Sequence, residues 1–125
     1  MTTQVNSTVL GNIGNLTVTG GITTVGLTET VYTITGTTPA LSPGNGTIQT
    51  WTLSANSTPT VGTWNSGQSM TMMIDDGSGR SVTWTTANVR WVGGTAPTLS
   101  TTGYTVLQLW KVNTTIYGAY VGAVS

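Results

Sequence analysis

The stretch from Tyr104 to Val121 constrains this chain most. It reads as two arms, Tyr-Thr-Val-Leu-Gln-Leu-Trp-Lys-Val and Thr-Ile-Tyr-Gly-Ala-Tyr-Val, broken at Asn113-Thr114. Both arms are rich in β-branched and aromatic residues, so the segment predicts a β-hairpin. Alternation puts Tyr104, Val106, Gln108, Trp110 and Val112 on one face of the first arm, and Thr105, Leu107, Leu109 and Lys111 on the other. In the second arm it opposes Thr115, Tyr117, Ala119 and Val121 to Ile116, Gly118 and Tyr120. Large apolar groups on both faces of the first arm call for cover on both sides, from a second sheet or another subunit.

Helix formers are scarce elsewhere. Threonine (30 residues) and glycine (17) dominate, Phe is absent and no Glu/Lys-rich amphipathic segment occurs, so all-β is the class the composition supports. Only Glu29, Asp75, Asp76, Arg80, Arg90 and Lys111 are charged, 5% of the chain, against roughly 25% in an ordinary soluble domain. A free monomer so poor in charge has weak protection against self-association, which points to a surface covered by copies of itself or by a larger particle. Three basic residues are too few to neutralise a nucleic-acid backbone or to hold an anionic membrane. With no Cys and no His, disulfides, thiolate or imidazole catalysis and most zinc or copper sites are excluded. No apolar run is long enough to span a bilayer, and Met1-Thr2-Thr3-Gln4 lacks the features of a signal peptide. The expected place of synthesis is a cytoplasm.

Residues 1 to about 28 stand apart. Short extended pieces separated by glycines carry no aromatic and no charge before Glu29. One reading is a floppy leader. The other is an arm that orders by pairing with a neighbour through Val5, Val9, Leu10, Leu16, Val18 and Ile22. Residues 29–125 then form the head. Strands are expected at Thr30–Thr35, Thr47–Leu53 and Gln68–Ile74, with Met70, Met72 and Ile74 on one face. Asp75-Asp76-Gly77-Ser78-Gly79 is a turn signal, from which Arg80–Thr85 returns, followed by a short strand at Val89–Val92. About seven or eight antiparallel strands with turns between predict a small antiparallel β-sandwich or barrel with an extended N-terminal arm.

Candidate chemistry is thin. Asp75-Asp76 is the one adjacent carboxylate pair, but neighbours on a strand end point to opposite faces, and the following Gly-Ser-Gly marks a turn rather than a glycosidase pair or a calcium loop. Ser and Thr are plentiful but lack a base; Lys111 lies mid-strand and reads as a solvated side chain. No enzyme, cofactor or metal is expected. Trp51, Trp84 and Trp110 read as core, whereas Trp64 and Trp91 lie near loops and are candidates for stacking on a glycan.

Four runs, residues 46–60, 67–77, 89–99 and 109–122, resemble modules in virion proteins of tailed bacteriophages, in tail-fibre-like and other surface proteins, often from phages of aquatic bacteria. The resemblance covers roughly residues 29 to 122, and the leading Asn-Leu-Thr-Val-Thr-Gly-Gly looks like repeats that precede such heads in trimeric fibres. It implies a β-rich, commonly trimeric structural module with no catalytic residue, located in the virion. Two roles follow as expectations. The first is a capsid decoration (cement) protein whose arm clamps the major capsid protein, since the chain has room for a head and one short arm but not for a full fibre. The second is a tail-fibre or receptor-binding subunit that meets host glycan through Trp64 or Trp91. A polysaccharide-cleaving enzyme is the weakest reading.

Overall fold

A computed structural model describes residues 15–75 and 79–125. Eight strands form: β1 (Val31–Ile34), β2 (Ala40–Leu41), β3 (Ile48–Thr52), β4 (Thr60–Val61), β5 (Ser69–Asp75), β6 (Val89–Trp91), β7 (Tyr104–Val112) and β8 (Thr115–Val124). Strands hold 41% of the residues and helix 3%, so the all-β class holds. The architecture, however, is a solenoid-like coil with a mixed sheet, not an antiparallel sandwich or barrel.

Six strands make the main sheet in the order β1-β3-β5-β7-β8-β6. β1, β3 and β5 are parallel, with Val31 opposite Ile48 and Ile48 opposite Thr71. Between these strands the chain travels through a second wall and returns. There β2 and β4 pair in parallel, Ala40 opposite Thr60, and Ser57 bridges to Val82. The coils are tied at this wall by amide-to-carbonyl bonds from Thr58 to Thr37 (2.7 Å), Gly62 to Leu41 (2.8 Å) and Ser57 to Ser81 (2.9 Å). Close stacking also sets one glycine: a Cβ on Gly46 would lie 2.6 Å from the Thr30 carbonyl oxygen.

The Arg80–Thr85 segment is therefore not the second arm of a hairpin with β5. It passes along the second wall, and β5 pairs antiparallel with β7 instead, Met72 opposite Leu107. The turn residues 76–78 lie outside the described residues. The C-terminal hairpin forms as its pattern predicts: Val112 faces Thr115 across Asn113-Thr114, and Asn113 takes a positive φ of 52°. A register shift after Val106 marks a bulge in β8.

The core fills the space between the main sheet and the second wall. Trp51, Leu53, Met70, Met72, Ile74, Leu107 and Leu109 are fully buried, as alternation within each strand requires. Among the described residues Gln49, Ser57 and Thr105 are buried polar side chains and each has a partner; Ser57 Oγ donates to the Ala55 carbonyl at 2.9 Å. Gln49 Nε2 donates to the carbonyls of Ser42 (2.7 Å) and Gly46 (2.8 Å), which braces the turn around Pro43. Thr105 Oγ1 accepts from the Ser100 amide at 2.7 Å. Lys111 is not a free solvated side chain: its Nζ donates to the Trp64 carbonyl at 2.9 Å and ties the hairpin to the loop before β5.

Candidate functional site

Three features lie outside the core: the segment that leads into β1, a pair of clefts around Trp91, and the outward face of the main sheet. Residues 15–30 form no strand and bend at Thr19-Gly20 and at Val25, and every one of them is exposed. Leu16 (73%) and Ile22 (72%) keep most of their surface in solvent, and Val18 is also exposed. Val5, Val9 and Leu10 lie outside the described residues. The first ties to the head come at Glu29, whose Oε1 accepts from Thr47 Oγ1 at 2.8 Å, and at Thr30, whose carbonyl accepts from the Ile48 amide at 3.4 Å. The segment then enters β1, which is the edge strand of the main sheet and pairs only with β3 among the described residues. Exposed apolar side chains at Leu16, Val18 and Ile22, beside a strand edge that is unpaired among the described residues, are parts from which β-augmentation can be built.

The two stacking candidates part company. Trp64 is 6% exposed, and its Nε1 donates to the Leu41 carbonyl at 2.8 Å, so it pins the wall at β2 to the main sheet and offers no open face to a sugar. Its place in a polar stretch suggested a loop surface; the apolar floor formed by Leu41, Leu109 and Ile116 draws it inward instead. Trp91 is half-buried; besides a cleft of about 300 Å³ that it shares with Asn88, Val89, Arg90 and Gly94, it shapes two larger ones. One, about 420 Å³, is lined by Trp91 with Thr95, Pro97, Thr98 and Tyr120. The other, also about 420 Å³, is lined by Trp91 with Trp84, Thr85, Asn88 and Val89.

The Trp91 ring is held in place. It packs over Gly118, where a Cβ would approach its Cζ3 to 2.6 Å. Trp84 meets it edge to face, with centroids 5.1 Å apart and planes at 74°. Tyr120, 53% exposed, stands across the first cleft. Fixed aromatic surface bordered by Thr and Asn side chains suits a neutral polyhydroxylated ligand, which stacks its C–H face and bonds its hydroxyls. Among the described residues neither cleft is lined by a carboxylate. Asp75 ends β5, Asp76 lies outside the described residues, and among the described residues no three metal-ligating side chains cluster.

Trp110 is the second aromatic that the sequence misplaces. It is half-buried on the outward face of the sheet, stacked on Tyr117 at 5.9 Å and 20°. The alternation of β7 had put Trp110 opposite Leu107 and Leu109, and that signal was the right guide. Tyr120 could likewise be placed on the face of Ile116 and Gly118 from the sequence, but nothing local brings Trp91 beside it.

The fold and these surfaces define an all-β, solenoid-like domain with an exposed leading segment and an aromatic cleft pair. Comparison with protein-family models, curated proteins and solved structures gives no match.

Proposed function

We propose that the chain is a non-enzymatic structural protein of a tailed-bacteriophage virion, acting as a capsid decoration protein. In this reading residues 1–28 pair with the major capsid protein or with a neighbouring copy, and the head stays outside. The observation that carries it is the segment 15–30, exposed in every residue, running directly into an edge of β1 that is unpaired among the described residues. An exposed strand edge flanked by exposed apolar chain is unstable against association and is best explained by a partner that covers it. The low charge and the resemblance of residues 29–122 to virion modules support the same reading. Quantitative mass spectrometry of purified virions tests it. One copy per major capsid subunit, or a simple fraction of that, is the expected ratio; a few tens of copies or fewer per particle would move the protein to the tail.

The Trp91 clefts favour a second reading, a tail-fibre or receptor-binding subunit that recognises host surface glycan. Here Trp91→Ala is expected to reduce binding to host surface polysaccharide about five- to thirtyfold, since stacking on one aromatic ring contributes about 1–2 kcal/mol. Binding that survives the substitution unchanged removes Trp91 from any recognition role.

A further inference from the structure

The outward face of the main sheet has no cover within the described chain. Core-facing residues of β5 and β7 are buried, whereas their outward neighbours are half-exposed along the whole length of both strands. Met73, Val106, Trp110, Tyr117 and Ala119, with Ile48 on β3, make this face largely apolar around the Thr71–Gln108 pair, whose side chains are joined by a 2.8 Å hydrogen bond. A sheet with large apolar groups on both sides is unusual unless both sides are covered.

The charges on this face say what covers it. Only two outward strand residues are charged, Asp75 at the end of β5 and Arg90 on β6. Arg90 lies opposite Tyr117, Tyr117 opposite Trp110, and Trp110 opposite Ser69. Ser69 begins β5 and Asp75 ends it, so the two charges sit at opposite ends of the face along the strands, Arg90 on edge strand β6 and Asp75 on interior strand β5. A partner with charge of one sign matches one position and opposes the other. A second copy matches both: a twofold axis in the plane of contact, midway between the two positions, sets Asp75 of each copy over Arg90 of the other.

The size is also sufficient. Six strands about 4.8 Å apart, with central strands of seven to nine residues at about 3.3 Å each, present roughly 600 Å² per copy. Two copies then bury roughly 1,200 Å², within the range of specific interfaces. We infer that this chain pairs with a second copy of itself through the outward face of the main sheet, with reciprocal Asp75–Arg90 contacts. The inference rests on reading the chain as one that assembles with its own copies, and it adds the surface and the symmetry.

Sedimentation equilibrium of the full chain tests it. Wild type is expected to associate in multiples of two. Asp75→Arg and Arg90→Asp should each weaken association at least about tenfold, because each sets like charges together, and the double variant should restore it. Ala119→Arg, at the centre of the face, should give a monomer. Thermal unfolding of each variant checks that the head remains folded, as expected for residues outside the core. A monomeric wild type, or a threefold assembly indifferent to all of these substitutions, overturns the inference. Incorporation of the same variants into virions is scored separately: a monomeric variant that still enters particles separates the pairing face from the virion role.

Discussion

Replacing Trp51 by alanine is expected to cost about 3–5 kcal/mol, the range for removing a large aromatic from a packed core. Trp51 is 1% exposed in the middle of β3, between parallel neighbours Ile34 and Ile74, and its Nε1 donates to the Gly36 carbonyl at 3.2 Å. Its loss opens a cavity where the first coil meets the main sheet and removes a tie from the loop after β1. Against a total stability of about 5–15 kcal/mol, that is a large share. The melting temperature should fall by roughly 15 °C or more. Trp110→Ala provides the internal contrast. It removes a half-exposed ring and its stack on Tyr117, so its expected cost in the isolated chain is about 1–2 kcal/mol. Urea unfolding of both variants, followed by near-ultraviolet circular dichroism, checks the order. Equal losses would mean that the outward face is as well packed as the core.

Deleting residues 1–28 should abolish attachment to the particle and leave the head folded. The described part of this segment buries nothing: residues 15–28 are exposed throughout, and the first side-chain tie to the head is at Glu29. The change in stability should stay within about 0.5 kcal/mol, as for surface changes away from packed features. The change in docking should be complete, because the free edge of β1 then lacks the exposed apolar chain proposed to pair with the partner. The check is co-sedimentation of the truncated protein with particles that lack it, beside a melting curve. A truncated head that still docks at full occupancy shows that attachment belongs to the head itself, and then the sheet face or the clefts must carry it.

The candidate surfaces were only partly legible beforehand. Trp91 was named from its position near a loop, and the structure gives it two clefts, a glycine floor and an aromatic brace. Trp64 was named on the same grounds and is buried. The two differ in what lies beneath them. Trp64 finds Leu41 and Ile116, contributed by strands far apart in the chain, while Trp91 sits on edge strand β6 with solvent at its side. Local composition carries no record of that difference. The low charge of the chain was visible at once, but the placement of Asp75 and Arg90 at opposite ends of one face needs the pairing register of four strands.

By itself the sequence determined the strands and their faces. Alternation put Met70, Met72 and Ile74 on one face of β5 and Leu107 and Leu109 on one face of β7, because side chains of a pleated strand point to opposite sides whatever strand lies next to it; which face of β7 is buried the structure decided. The sequence also determined the C-terminal hairpin, where a two-residue connection at Asn113-Thr114 leaves no other pairing geometrically open. Tertiary structure alone decided which strands became neighbours. The alternation that a parallel partner needs is the same as that of an antiparallel one, so Ile48 gives no local sign that it will lie between Val31 and Thr71. That choice depends on closing coils through the second wall, where Leu41, Pro59 and Trp64 bury themselves against the sheet. Burial summed over such distant segments outweighs the simpler hairpin that Asp75-Asp76-Gly77 seemed to offer, and it turns an expected antiparallel sandwich into a coil.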